Sequence, residues 1–487
     1  MWQTMKRGAL FVAVAGILVL SLTSRANGQA SLTTKTGSLA DGATYLMEVP
    51  SNWNGTLFLY SHGYVVPGSA NPAQDVGDPA TRAFMLASGF ALAGSSYAHT
   101  GWAIQEALVD QIQVLDLFDK DFGKPTQTIA WGHSLGGIIT AGLIQQNPKR
   151  FTAAQPMCGV LAGGVATWNT ALDAEFAFAT LLGQGAGLQL VNITNGQANL
   201  DLAEEILVGA QQTPQGRARI ALASALGDTP GWFTPLTPEP APTDFATQEV
   251  NQFTWDEQVD FPFVFAFRQE LEIRAGGNVS WNTDVDYGLQ LLKSASRDEV
   301  WALYQTAGLS LAQDIETLNR TARIKANPNA VKYLSQNIIF DGEINIPVLT
   351  MHTLGDGLVV NENETAYRTI VDIRGNGGLL RQTFVSRAGH CAFTPAETIA
   401  AVGTLLTRVE TGKWPNTEAN VLNGDATALG PNFNIFAAGN TVVPVAPAFV
   451  DFVSGLYPRP FDSFAGLCGN HGGDHDCRFG FSFLQQH

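Results

Sequence analysis

The stretch TIAWGHSLGGIITAG, residues 128–142, constrains this chain more than any other. A short apolar run ends at a turn, Gly132-His133-Ser134-Leu135-Gly136, and IITAGLIQQNP then continues with helical character as far as Pro148. That is a strand, a tight elbow and a helix in immediate succession. Side chains at 132 and 136 would crowd such an elbow, and glycine there leaves room for the unusual backbone angle that lifts Ser134 clear. The N-terminal N–H groups of the helix point at the same spot, which suits developing negative charge. Ser134 therefore reads as a nucleophile, against the plainer reading of a small residue in a glycine-rich turn. A nucleophilic serine needs a histidine base, a carboxylate to orient that base, and backbone donors for the oxyanion.

The surroundings repeat the strand–helix alternation. GTLFLYSHG, FALAGSSYA, TQTIAWG and FTAAQPMCGVLAG read as strands, and GWAIQEALVDQIQVLDLFDKDFG repeats apolar residues at helical spacing. Strands interleaved with helices predict an α/β fold with a mainly parallel central sheet. From about residue 165 to 340 the segments are helix-like with hardly a strand between them, broken by the proline-rich TPLTPEPAPT. Alternation resumes at NIPVLTMHTLGD. The expected organisation is a secretory segment at 1–30, a first core part at 31–164, a helical insertion or lid at 165–340, a second core part at 341–413, and a C-terminal accessory extension at 414–487.

The N-terminus supports export. Lys6 and Arg7 precede an apolar run at 8–22, and small residues lead up to Ala30. This matches a cleavable secretory signal, with an uncleaved anchor as the alternative, and predicts a secreted or periplasmic product without stable membrane insertion of the mature chain. The run is short for a spanning helix. The formal net charge is −16, so nucleic acid is not an expected partner. Export permits disulfides. Nearness favours Cys468–Cys477, which leaves Cys158–Cys391 as a long-range tie; four buried thiols are the alternative.

The base is expected after a late strand. His390, in SRAGHCAFTPAE, stands between a strand-like run and a helix. His99 and His352 both precede Asp356, His471 and His475 lie in the cysteine-bounded tail, and His487 ends the chain. Asp356 follows the buried-looking strand IPVLTMHTLG, whereas Asp341 precedes it and falls at the wrong end of the sheet. Asp341 and Asp372 are assigned structural or solvated roles. The chain order Ser134, Asp356, His390 is the one used by strand-elbow hydrolases of this architecture.

Together LYSHGY, WGHSLGG, HTLGDGLV and AGHCAFTPAE resemble the α/β-hydrolase superfamily, in particular its serine esterases, over residues 43–160 and 340–412. The resemblance implies an oxyanion loop at His62-Gly63, with the backbone N–H groups of Tyr64 and Leu135 as donors. A narrower resemblance, to tannases and feruloyl esterases, rests on Cys391 directly after His390. In that group the partner cysteine directly precedes the serine, where this chain has His133. Cys158, ending the strand after the nucleophile helix, is the residue able to pin the base loop in the same way.

The function implied is carboxylic-ester hydrolysis through an acyl-enzyme, without metal or other cofactor, on an uncharged small-molecule or polymeric ester, an aromatic-acid ester among them. Tyr97 and Trp102 are the candidate pocket residues. The aromatics of WDEQVDFPFVFAFRQE either line a lid or fill the insertion's own core. A serine peptidase or amidase of the same fold is the alternative, followed by a non-catalytic binding module. His471, Asp474 and His475 in HGGDHDC invite a zinc reading, set against a disulfide-closed loop.

Overall fold

In the computed structural model, residues 31–438 and 441–461 are described. The expected secretory segment, Cys468, Cys477 and the HGGDHDC histidines lie outside them.

The strands form where β-compatible apolar residues run unbroken. All six residues of β3 (Thr56–Ser61) are buried, as are the five of β4 (Ala91–Ser95) and of β6 (Ala153–Met157). Such runs belong to a sheet covered on both faces. With β1 (Leu32–Ser38), β2 (Thr44–Pro50), β5 (Gln127–His133), β7 (Val348–Gly355), β8 (Leu380–Ala388) and the two-residue β11 (Phe449–Val450), they form a nine-stranded sheet in the order β1-β2-β4-β3-β5-β6-β7-β8-β11. From β4 through β8 every pairing is parallel, whereas β1, β2 and β11 pair antiparallel at the edges. A separate hairpin joins β9 (Ile435–Ala438) to β10 (Thr441–Pro444).

Alternation along the strands divides the core. Leu57 and Leu59 pack with Val114 of α2 (Ile104–Phe122) and Ile138 of α3 (Leu135–Gln146) on one face. Phe58 and Tyr60 point the other way, toward Met85 of α1 (Pro79–Ala87).

Between β6 and β7 the chain forms α4 (Gly164–Leu181), α5 (Gly196–Gln211), α6 (Pro214–Gly227), α7 (Phe245–Trp255), α8 (Arg268–Ala275), α9 (Tyr287–Leu291), α10 (Arg297–Ala307), α11 (Leu311–Arg320) and α12 (Pro328–Gln336). These helices enclose a second core, with Phe178, Leu207, Leu222, Phe265, Val300 and Leu318 inside it. After β7 come α13 (Asn363–Ile373), α14 (Pro395–Thr411) and α15 (Ala419–Ala428). Ala400 and Leu405 of α14 and Leu422 of α15 complete the face shared with α1.

The cap is tied to the sheet layer by polar contacts. Glu270 of α8 accepts the Trp102 N–H at 3.1 Å, and Arg274 donates to the Thr100 carbonyl at 3.0 Å. Arg459, near the end of the described chain, pairs with buried Asp173 of α4 at 3.0 Å. A mostly parallel sheet between helical layers, with a helical cap inserted after β6, is an α/β-hydrolase fold. Among the described residues no helix is long and apolar enough to cross a membrane.

Candidate active site

The elbow after β5 takes the form its glycines allow. Ser134 sits at φ 59°, ψ −122°, in a region costly for a side-chain-bearing residue. A Cβ on Gly136 would lie 1.9 Å from the Ser61 carbonyl oxygen, and one on Gly132 2.5 Å from the same atom. Only glycine fits either place. The Ser134 N–H donates to the Met157 carbonyl at 3.0 Å, which fastens the elbow to β6.

Two further strand ends deliver the partners. Asp356 follows β7, and its Oδ1 accepts the Val359 N–H at 2.9 Å. His390 follows β8 through Gly389, whose φ of 100° turns the chain and whose N–H donates to the Gly355 carbonyl at 2.8 Å. His390 Nδ1 lies 2.8 Å from Asp356 Oδ2, and His390 Nε2 lies 2.7 Å from Ser134 Oγ. A carboxylate can only accept, so the proton belongs on Nδ1, which leaves Nε2 to accept from the serine hydroxyl. Three residues from three separate strand ends thus make one hydrogen-bonded chain. Asp356 is 1% exposed, whereas the His390 side chain keeps 21% of its surface open toward incoming molecules.

Cys158 and Cys391 form a disulfide, with their Cα atoms 5.3 Å apart. It joins the end of β6, beside the elbow, to the residue directly after His390. His133, next to Ser134, is hydrogen-bonded through Nδ1 to the Tyr60 hydroxyl at 3.0 Å. Burial, aided by the neighbouring His390, pushes its pKa down to about 4, so it adds no charge beside that ring at neutral pH.

The loop after β3 crosses above the serine. A Cβ on Gly63 would be 3.8 Å from Ser134 Oγ, so the backbone leading to Tyr64 passes close to the hydroxyl. Leu135, at the first position of α3, has an N–H with no acceptor inside the helix. His62 anchors the loop, with its ring nitrogens 2.7 Å from the Gly63 carbonyl and 3.1 Å from that of Ser96.

The two candidate pocket residues part company. Trp102 lines the cavity that holds Ser134. Tyr97 does not: its ring stacks on His62 at 4.0 Å between centroids, its hydroxyl donates to the His62 carbonyl at 3.0 Å, and it is 2% exposed. Its backbone sits at φ 60°, and its side chain supports the loop after β3 through His62.

The serine opens on a partly enclosed cavity between the sheet layer and the cap. The sheet layer contributes Ser134, Leu135 and Tyr64, and the cap contributes Trp168, Phe178 and Phe263. Phe263 also packs on Tyr64, with centroids 5.0 Å apart. The insertion's aromatics are shared, since Phe261 faces the cavity and also belongs to the cap core.

Asp256 and Asp260 line this cavity too, and sequence reasoning passed over both. They lie in a π-helical turn, Asp256–Asp260, followed after Phe261 by a second, Pro262–Phe267. Pro262, which has no N–H to donate, was the available signal, because it forbids a regular helix there. Burial pushes Asp256 up to about 8, and burial with the charges of Asp256 and Asp356 pushes Asp260 well above its ordinary value. No lysine or arginine is among the cavity-lining residues. Among the described residues no group of three or more His, Cys, Asp and Glu is placed to hold a metal ion.

No protein-family model matches the chain. The o-phthalyl amidase of Xanthobacter agilis is 31% identical over 434 residues, spanning 82% of this chain and 92% of that protein. Among solved structures, feruloyl esterase B from Aspergillus oryzae gives a TM-score of 0.37 at 15% identity, over 79% of this chain and 82% of its own. The rice cell wall degrading esterase LipA from Xanthomonas oryzae gives 0.33 at 14% identity, over 78% and 87%. TM-scores this low carry no argument about fold or activity.

Proposed function

Because the chain belongs to the family of the Xanthobacter agilis o-phthalyl amidase, we propose that it is an exported serine hydrolase that cleaves uncharged acyl derivatives of small, preferably aromatic, carboxylic acids, esters first and amides second. The observation that carries this reading is the Ser134–His390–Asp356 chain, at 2.7 and 2.8 Å, opening on an aromatic-lined cavity. His390 takes the hydroxyl proton as Ser134 attacks the acyl carbon. The oxyanion forms toward the N–H groups of Tyr64 and Leu135, each such donor being worth about 3 kcal/mol. His390 then gives the proton to the leaving group, and the acyl-enzyme is cleared by water activated by the same ring.

Substrate size and charge follow from the cavity. Its partial enclosure beneath the cap suits a small molecule, and with no lysine or arginine in the lining there is no cation to pair with an anionic substrate. Amides enter the reading because the relative's name is that of an amidase and its acyl group is aromatic. Residues 1–30 serve export, residues 165–340 act as the cap that shapes the substrate site, and residues 414–487 as the accessory extension.

The test is hydrolysis of p-nitrophenyl benzoate beside benzoyl anilide, with Ser134→Ala as the blank. Loss of both activities in a folded variant is expected, and unchanged turnover would refute the assignment.

A further inference from the structure

His352 stands in β7, four residues before Asp356, and is fully buried. Its Nε2 lies 2.7 Å from the Val359 carbonyl oxygen and 3.7 Å from Asp356 Oδ2, the oxygen that also takes His390 Nδ1. Its Nδ1 lies 3.1 Å from Glu364 Oε1, at the start of α13. A carbonyl oxygen cannot donate, so Nε2 must carry a proton. On the other side the Glu364 carboxylate already accepts at Oε2 from Gln382 Nε2, at 2.6 Å, and from the Thr350 hydroxyl. Two donors on Oε2 favour the ionised carboxylate, which in turn favours a second proton on the ring. Both ring nitrogens then donate, and the ring is an imidazolium.

We propose that His352 and Glu364 form a buried imidazolium–carboxylate pair behind Asp356, and that His352 is a positioning residue whose charge sets how strongly Asp356 holds the protonated form of His390. The inference rests on the triad reading. Through it a line of contacts runs from Ser134 by way of His390, Asp356 and His352 to Glu364, and on through Gln382, whose Oε1 accepts from Arg368 Nε at 2.6 Å.

The charges around the ring agree with this. Burial opposes a charged His352, but the hydrogen bond and charge of Glu364, then the charge of Asp356 and the Val359 carbonyl, outweigh it and raise the pKa. Glu362 stands within electrostatic reach on the same side; burial and Asp228 push it up to about 8, so it is largely neutral at pH 7. Asp260 acts on Asp356 from the cavity side and is also raised. His62 gives the contrast: its nitrogens also face two acceptors, but both are neutral carbonyls, and burial holds its pKa below the ordinary value.

The consequence concerns the pH at which the base becomes available. A positive charge beside Asp356 weakens that carboxylate's pull on a protonated His390, so His390 loses its proton at lower pH. Replacing it by a neutral side chain removes that help.

The experiment measures kcat/KM against pH for the intact protein, His352→Gln and Ser134→Ala, on one p-nitrophenyl ester. The acidic limb is expected to move up by about 0.5–1 pH unit in His352→Gln. A purely structural role would lower the whole profile without moving the limb. Ring ¹⁵N NMR of the unsubstituted protein, with His352 assigned through bonds, reads the same claim without a variant, and two protonated nitrogens at pH 7 are expected. A limb that stays in place in folded His352→Gln, or one unprotonated ring nitrogen at pH 7, overturns the proposal. Ser134→Ala turning over like the intact protein would instead overturn the triad reading beneath it.

Discussion

Gly136 shows how closely single residues are specified around the elbow. Adding one methyl group puts a carbon 1.9 Å from the Ser61 carbonyl oxygen, so β3 and α3 must separate. Gly136→Ala should therefore lower kcat/KM by at least about 100-fold, because the serine moves relative to a fixed base; steady-state kinetics with circular dichroism for folding checks this. Tyr97→Phe removes the hydroxyl that donates to the His62 carbonyl. It should cost about 1 kcal/mol of stability and reduce kcat more than it changes KM, since the loop after β3, proposed to hold the oxyanion, loosens while the cavity wall is untouched. Ser134, Asp356 and His390 were legible because each occupies a strand end in a known order, with glycines beside it. Tyr97 was legible only as a residue beyond a strand; which way it points depends on a positive φ that no neighbouring glycine announces. His352 was weighed only as a base, since its contact with Glu364 arises when α13 folds back over β7.

The base loop is an element held in two ways. In its middle, at Cys391, the disulfide to Cys158 ties it to β6. Across it, Arg387 of β8, before the loop, pairs in two-pronged fashion with Glu397 of α14, after it, at 2.7 and 2.9 Å, both side chains being buried. Glu397 also accepts the Thr394 N–H at 2.8 Å and caps α14. Cys391→Ser should cost about 2–4 kcal/mol of stability and about 10–100-fold in kcat, with reductant acting likewise on the intact protein. Peptide mapping that finds Cys158 and Cys391 as free thiols would remove the basis of this expectation. The helical character of the insertion was legible from its 3.6-residue periodicity. Its π-helical turns were not, because periodicity does not say how a chain resolves a proline inside an apolar helical run.

At the scale of the molecule, buried carboxyl groups in the cap couple stability to pH. Burial pushes Asp256 and Glu299 up to about 8, and Glu249 to about 7 against the opposing charge of Arg217. In the unfolded chain such groups release their protons near pH ~4. Between about pH 4 and 8 the folded state holds protons that the unfolded state has lost, so stability falls as pH rises through that window. The melting temperature should be several degrees lower at pH 8.5 than at pH 5.5, and Glu299→Gln should flatten the dependence; a melting temperature that rises with pH contradicts the reading. The division into a parallel sheet and a helical insert was legible because strands and helices differ in period. How the cap sits over Ser134 was not, since Glu270, Arg274 and Arg459 hold it by contacts across more than a hundred residues of sequence.

The central claim is that the Ser134 oxygen becomes acylated during turnover. The most direct measurement is an acid-quenched single turnover of a p-nitrophenyl ester followed by mass spectrometry of the digested protein. One acyl group per chain on the peptide carrying Ser134 is the predicted result, absent in His390→Ala. Full turnover with that peptide unmodified, or acylation at another residue, would contradict the account.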